Sequence, residues 1–184
     1  MKFLNIHKVA DGKYLKKYEL TYENKAGNIK KYEIASRREL KNAEDLGKRV
    51  SGVSIVATKG EKLVLLNEFR MAVNRRIYNL IAGMIEEEES VEECIKREVY
   101  EETGLKVKQI LHILPPSYST VGISDTKTYI AFVEVDGELS DHSSENEDIR
   151  ASFYSREEVA SMLLTQEFSS RAQIIAYFFS KKEL

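Results

Sequence analysis

The chain has 184 residues, which suits one domain with a small extension, and 42% of them are hydrophobic, so a proper core can be buried. A net charge of −2 excludes a global basic field for nucleic acid, and the single cysteine, Cys94, excludes an internal disulfide and fits a reducing compartment. No 18-residue apolar run is present and residues 1–20 are too charged for a signal peptide, so we expect a cytoplasmic protein without nucleic-acid or membrane partners.

The first half of the chain predicts mostly strands. Residues 14–22 and 29–37 are strand-like, and the turn-rich stretch between them predicts a hairpin. A strongly charged segment, 37–49, follows. Further strands are predicted at 50–58, 63–68 and 77–81.

The second half alternates extended segments with loops and helices. Strands are predicted at 107–114, which Pro115 and Pro116 should end, and at 127–135. Loops are predicted at 117–126 and at the acidic, serine-rich stretch 138–148. Short helices are predicted from Ser155 and over 169–181. Mixed strands around one central and one terminal helix predict an α/β layered fold.

The central helix lies within residues 83–105. Ser90 and Glu93 have capping-box spacing, so the helix should begin at about Val91, and Gly104 suits the left-handed position that ends it. An apolar stripe recurs every four residues, at Val91, Ile95 and Val99.

A different face of this helix is acidic and carries Glu98, Glu101 and Glu102. Like charges four residues apart cost about 0.2–0.5 kcal/mol per pair, and the helix dipole disfavours anions in the last turn. A bound Mg²⁺, which takes oxygen ligands, would offset that repulsion. The alternative is a solvated glutamate-rich helix, since Glu is a good helix former.

This stretch resembles the Nudix box, G-x5-E-x7-R-E-U-x-E-E-x-G-U, where U is aliphatic. Every fixed position is filled, by Gly83, Glu89, Arg97, Glu98, Val99, Glu101, Glu102, Gly104 and Leu105. The resemblance to the Nudix hydrolase family implies an α/β/α sandwich with a mixed sheet.

The flanking segments resemble the ADP-ribose pyrophosphatases and related nucleoside-diphosphate-sugar hydrolases of that family. The hairpin looks like their small N-terminal antiparallel β extension, which supports a homodimer, so the resemblance implies an extension over 1–45 and a Nudix domain over 46–184. Residues 66–70 resemble their Q-[YF]-R segment, with Glu68 in the glutamine place. Residues 78–83 resemble their E-L-P-A-G segment, and residues 120–126 resemble their S-P-G-x-x-[DS]-E loop.

Several positions depart from that pattern. Asn79 and Ile81 replace the Glu and Pro before the box, and Val121 replaces the loop Pro. Thr126 stands where the loop supplies a Glu with a catalytic or metal-linked role, and a threonine is no carboxylate base. Asp125 is one candidate for that role. The alternatives are an acidic cluster formed by Glu145, Glu147 and Asp148, or no such base.

The resemblance also implies site roles. Glu98 and Glu102 would be the main ligands of Mg²⁺, or of Mn²⁺ in its place, with Glu101 and the backbone carbonyl of Ala82 as further ligands. Arg97 would orient the carboxylates by pairing with Glu89. Arg70 and Arg37 are candidates for contacts with a diphosphate or with the partner subunit, and ordinary surface ion pairs are the alternative.

The function implied is a Mg²⁺-dependent pyrophosphohydrolase. Its substrate would be ADP-ribose or a related nucleoside diphosphate sugar, cleaved to a nucleoside monophosphate and a sugar phosphate. One alternative keeps the chemistry on a dinucleotide, a coenzyme A derivative or a nucleoside triphosphate. Another is a non-catalytic Nudix module that binds a nucleotide.

Overall fold

The structure is a computed structural model that describes residues 1–140, 142 and 144–183. The described chain divides into two compact units. One unit comprises Met1–Ser51 and Pro116–Thr128, and the other comprises Gly52–Pro115 and the residues from Tyr129 on. Positions 141 and 143, which belong to the predicted acidic loop, lie outside the described residues.

The first unit contains an antiparallel sheet of three strands among its described residues, in the order β1 (Lys2–Asp11), β2 (Lys16–Glu23) and β3 (Ile29–Ser36). The predicted hairpin corresponds to β2 and β3. Asn24 fixes their turn, because its side-chain oxygen accepts the backbone N–H groups of Ala26 and Asn28. The sequence pattern did not predict β1.

A small apolar core stabilises this unit. It consists of Tyr18, Leu20, Ile34 and Leu40, all buried. The Tyr18 hydroxyl accepts the backbone N–H of Leu40 at 2.9 Å, which anchors the segment after β3. A 3-10 helix, Ala43–Asp45, follows in that segment.

Seven strands form one mixed sheet within the described residues. They are β4 (Val50–Lys59), β5 (Lys62–Arg70), β6 (Arg75–Asn79), β7 (Ile81–Met84), β8 (Lys106–Tyr118), β9 (Lys127–Asp136) and β10 (Ile149–Tyr154). The main order is β10-β5-β4-β9-β8, with β6 paired to β5 and β7 paired to β4. The single strand predicted at 77–81 is thus two short strands that contact different neighbours.

Helices in the described chain cover both faces of this sheet. They are α1 (Val91–Thr103), α2 (Arg156–Thr165) and α3 (Ser170–Ser180). Alternation along β5 creates the two faces, because Val64 and Leu66 join the core that includes α1, whereas Leu63 and Leu65 join the core beneath α2 and α3. The predicted α/β/α sandwich with an additional β sheet is therefore confirmed.

One strand differs from the sequence expectation in an informative way. β8 continues through Pro115 and Pro116 to Tyr118, whereas prolines were expected to end it. Because β8 is the outermost strand on its side of the sheet order, the proline whose nitrogen faces away from β9 removes no ladder hydrogen bond.

Within the described residues, no helix is both long enough and apolar enough to cross a membrane.

Candidate active site

The helix α1 carries the acidic residues and begins and ends as its sequence dictates. The side chain of Ser90 accepts the N–H of Glu93 at 3.3 Å, and the Glu93 carboxylate accepts the N–H of Ser90 at 2.9 Å. At the other end Gly104 has φ of 73°, a left-handed conformation that favours glycine. Both ends of the predicted helix are therefore fixed by local hydrogen bonds and backbone geometry.

Glu98 lies directly against the backbone of Gly83 in β7. The Glu98 residue is buried, and a Cβ atom added at position 83 would lie 1.7 Å from the Glu98 carboxyl carbon. Only glycine therefore permits this close approach between helix and strand. Burial raises the pKa of Glu98, and the neighbouring Arg97 guanidinium opposes that rise.

Arg97 connects three carboxylates of the box. Its Nε and Nη2 atoms donate to the two oxygens of Glu89 at 2.8 and 2.9 Å, in a bidentate pair. Its Nη1 atom donates to Glu98 at 2.7 Å and to Glu101 at 3.0 Å. The hydrogen bonds from Arg97 lower the pKa of Glu89 to about 2. Arg97 thus pairs with Glu89 as expected and also holds two of the expected metal ligands.

Glu102 contacts the chain at the entry to the box. Its Oε2 atom accepts the backbone N–H of Ala82 at 3.1 Å. Burial raises the pKa of Glu102 to about 9, and the nearby carboxylates of Glu98, Glu68 and Glu147 add to the rise. A negative charge on Glu102 is therefore unfavourable without a cation beside it, in line with the repulsion expected on the acidic face.

A cavity of about 420 Å³ opens beside Glu102 and Ala82. Its wall also includes Glu68, Phe69, Arg70, Met71, Ala72, Asn146, Glu147, Asp148 and Ile149. The cavity combines carboxylates with one arginine at the end of β5. Its size and polarity suit a polar small molecule better than an apolar one.

Three carboxylates of this wall lie outside the box, those of Glu68, Glu147 and Asp148. Glu147 belongs to the acidic cluster that the sequence offered as an alternative source of a base, and its charge acts on both Glu98 and Glu102. Asp148 of the same cluster is paired with Arg76 at 2.5 Å. Glu68 was noticed in the sequence only as a departure from a glutamine.

Glu68 belongs to a partly buried chain of hydrogen bonds. Its Oε1 atom accepts from the Asn79 amide nitrogen at 2.5 Å, and the Asn79 oxygen accepts from the Ser169 hydroxyl at 2.6 Å. Ser169 is also the N-cap of α3, where its side chain accepts the N–H of Ala172 at 3.3 Å. The sequence shows that positions 68 and 79 both depart from the family pattern. It does not show that the two side chains contact each other.

The other predicted site residues have varied surroundings. Arg70 lies on the cavity wall, and its Nη1 atom is 3.4 Å from Glu68 Oε2. Asp125 belongs to the other unit, where its carboxylate accepts the backbone N–H of Gly47 at 3.1 Å. Arg37 is an exposed residue of that same unit.

The site residues fit a hard divalent cation by their chemistry. Across residues 1–140, 142 and 144–183, no three His, Cys, Asp or Glu side chains already converge as a metal cluster. The donors that surround Glu102 are nevertheless oxygens, the kind that Mg²⁺ prefers, and Gly83 keeps the space that the Glu98 carboxylate occupies. Glu98, Glu102 and Glu101 are the residues that would hold such a cation, with the Ala82 carbonyl as a further donor.

Comparison with known proteins identifies the family. A family model for the NUDIX domain matches residues 47–178, well over half of the chain. The ADP-ribose pyrophosphatase of Escherichia coli strain K12 is 34% identical over 125 residues, which cover 63% of this chain and 59% of that protein. The ADP-sugar pyrophosphatase of Mus musculus is 27% identical over 135 residues, which cover 71% of this chain and 59% of that protein.

The chain therefore spans about 59% of the length of either relative. The crystal structure of an ADP compounds hydrolase superposes with a TM-score of 0.72 and 21% identity, over 98% of this chain and 92% of that one. At this identity the likeness shows the fold alone.

The chain belongs to the Nudix family, as its box predicted. The two pyrophosphatases also agree with the resemblance of the flanking segments to the ADP-ribose pyrophosphatase group.

Proposed function

We propose that this protein is a Mg²⁺-dependent Nudix pyrophosphohydrolase that cleaves the diphosphate of ADP-ribose or a related nucleoside diphosphate sugar. One observation carries the proposal: Glu102, hydrogen-bonded to Ala82, lies on the wall of a polar cavity that also contains Arg70 and Glu147. The names of the two relatives supply the substrate class.

Some residues of the site would bind the cation, and Arg70 would bind the substrate. Glu98 and Glu102 would hold the cation together with Glu101 and the Ala82 carbonyl, while Arg97 keeps Glu98 and Glu101 in place. A bound divalent cation neutralises diphosphate oxygens, which otherwise repel a nucleophile. Arg70 would contact the diphosphate, because its guanidinium is half exposed on the cavity wall and suits phosphate oxygens.

We assign the general base to Glu147. It lines the same cavity as Glu102, and its Oε2 atom accepts from the backbone and hydroxyl of Ser144 at 3.1 and 3.0 Å. These bonds hold one carboxylate oxygen of Glu147 in place, and its other oxygen would accept the proton of the attacking water. Asp125 is the alternative, which rests on the resemblance of its loop, and the carboxylate of Asp125 is engaged with Gly47.

The proposal includes a homodimer that works in the cytoplasm. The three-stranded sheet and the loop between β1 and β2 expose several large apolar side chains, namely Leu4, Val9, Tyr14, Leu15, Ile29 and Tyr32. Such a surface suits a protein partner, and the family resemblance implies a second copy of this chain. Arg37, in the same unit, would then be available for a contact with the partner or its substrate.

The first experiment is product analysis by mass spectrometry with a panel of compounds. The panel contains ADP-ribose, UDP-glucose, ADP-glucose, NADH, diadenosine polyphosphates, coenzyme A and nucleoside triphosphates, each with Mg²⁺ or Mn²⁺. We expect AMP and ribose 5-phosphate from ADP-ribose. Cleavage of another compound would replace the substrate and keep the chemistry, and no cleavage would favour the non-catalytic module.

Substitutions then test the roles. Glu102→Gln should lower kcat/KM by about 100-fold or more, because a ligand that stabilises the transition state by several kcal/mol is lost. Glu92→Gln, at an exposed position of the same helix, is the matched control and should leave turnover within about twofold of the wild type. Unchanged turnover in Glu102→Gln would contradict the ligand assignment. The general base is identified by comparing kcat in Glu147→Gln and Asp125→Asn, because the substitution of the base should lower kcat more.

A further inference from the structure

The hydrogen bond between Glu68 and Asn79, which is partly buried, has a fixed direction. The Asn79 oxygen accepts from Ser169, so the Asn79 amide nitrogen is left to donate, and it donates to Glu68. A hydrogen-bond chain with this direction requires an acceptor at position 68, which a carboxylate supplies. The Glu68 residue is only 6% exposed, so its charge is held in a defined place.

The pair is inverted relative to the family pattern that its segments resemble. That pattern has an amide in the place of Glu68 and a carboxylate in the place of Asn79. Here the amide and the carboxylate have exchanged positions, and the structure shows that the two side chains contact each other. A carboxylate and an amide are thus still paired, but the negative charge of the pair lies on β5 and not on β6.

Because the carboxylate is at position 68, the negative charge lies on the wall of the candidate site. Glu68 lines the cavity together with Glu102 and Ala82, whereas Asn79 does not. The charge of Glu68 acts on Glu102, which is consistent with this placement. Both oxygens of Glu68 already have neighbours, Asn79 at 2.5 Å and Arg70 at 3.4 Å, so the side chain is suited to act through space.

We propose that Glu68 is a positioning residue whose fixed negative charge, held by Asn79 and Ser169, strengthens divalent-cation binding at Glu98 and Glu102. This inference rests on the proposed function. It goes beyond that function because it adds a residue outside the box and makes cation affinity depend on which member of the pair carries the charge.

The test measures Mn²⁺ binding to the metal-free, full-length protein by the loss of the electron paramagnetic resonance signal of free Mn²⁺. Glu68→Gln should weaken Mn²⁺ binding by about threefold to tenfold, as expected for the loss of one nearby charge in a partly solvated site. The half-saturating Mg²⁺ concentration for turnover should rise to match, with kcat at saturating Mg²⁺ within about twofold of wild type. Glu61→Gln, which replaces an exposed carboxylate in the turn just before β5, is the control and should bind Mn²⁺ as the wild type does.

The exchange variant, Glu68→Gln with Asn79→Glu, separates charge placement from packing. It restores a carboxylate–amide pair, so its melting temperature should exceed that of Glu68→Gln, while its Mn²⁺ affinity stays weak. Wild-type affinity in either Glu68→Gln or the exchange variant would overturn the inference and leave the proposed function intact. A wild-type protein that leaves all Mn²⁺ free would instead overturn the metal-dependent function as well.

Ser169→Ala tests the far end of the chain. It removes the N-cap of α3 and frees Asn79, so it should weaken Mn²⁺ binding by about twofold, a modest effect because the charge itself remains. Ser155→Ala removes the N-cap of α2 without contacting Asn79 and is the matched control. Equal Mn²⁺ affinities in these two variants would exclude a positioning role for Ser169 and Asn79.

Discussion

At the scale of single residues, the site depends on how closely a carboxylate approaches the backbone. Glu98 rests on Gly83 with no room for a methyl group between them. Gly83→Ala should therefore displace the Glu98 carboxylate, destabilise the fold by about 1–3 kcal/mol and lower kcat by about 100-fold. Thermal unfolding and steady-state kinetics measure both effects.

The control for that substitution is Gly122→Ala, since a Cβ at position 122 would have nothing within 4 Å. Its melting temperature should stay within about 2 °C of the wild type. If the Gly83→Ala protein had the stability and turnover of the wild type, the close contact between α1 and β7 would not be needed for either property.

A second residue-scale prediction concerns the pH dependence of Glu89. Because Arg97 lowers the pKa of Glu89 to about 2, the ionised carboxylate stabilises the folded state. That contribution is fully present above the ordinary carboxyl pKa, near pH 4.5, and is lost as pH falls toward 2. Glu89→Gln should thus cost about 1.5–3 kcal/mol at pH 7 and progressively less below pH 4.

Urea unfolding of wild type and Glu89→Gln between pH 3 and pH 7 measures this difference. The gap between the two midpoints should be constant from about pH 6 to pH 7 and should narrow at lower pH. A gap independent of pH would mean that Arg97 does not act on Glu89 through charge.

At the scale of elements, helix α1 is both a structural unit and the platform of the site. Ser90→Ala removes its N-cap and should cost about 1 kcal/mol, or a decrease of about 2–4 °C in melting temperature. Ser155→Ala removes the equivalent cap of α2 and should cost a similar amount. Only Ser90→Ala should also raise the half-saturating Mg²⁺ concentration, because only α1 carries the candidate ligands.

Much of the fold could be predicted because its signals are local. The capping boxes at Ser90 and Ser155 and the turn at Asn24 place their elements to within about two residues. The strands β1 and β10 were missed, since β1 is mostly exposed and lacks regular alternation, and β10 follows an acidic loop without a turn signal. Strand pairing stabilises both, and pairing is not visible in a single segment.

The part of the candidate site that could be predicted is also local. Arg97, Glu98 and Glu102 lie on one helix, whose spacing brings them close together, and Gly83 comes shortly before that helix in β7. The contact of Glu68 with Asn79 joins two strands, and that of Asn79 with Ser169 joins residues 90 positions apart. Such contacts depend on the assembled sheet and helix, so residue types alone reveal only that both positions are unusual.

At the scale of the whole molecule, the testable property is the number of subunits. Light scattering should give about twice the chain mass of 21.1 kDa. Ile29→Lys, on the exposed three-stranded sheet, should favour the monomer, because a charge at a buried interface is costly. Ile174→Lys, equally exposed on α3, should leave the mass unchanged, and a monomeric wild type would contradict the proposed homodimer.

The two prolines of β8 have a consequence for the protein in concentrated solution. An outer strand with free N–H and C=O groups is a template on which strands of other molecules can assemble into aggregates. Pro115 and Pro116 lie next to each other near the end of that strand, and since backbone N–H groups alternate between its two sides, one of the two prolines withholds a donor from the outer side. This margin of the sheet therefore resists edge-to-edge aggregation, a protection that needs no charged residue at either position.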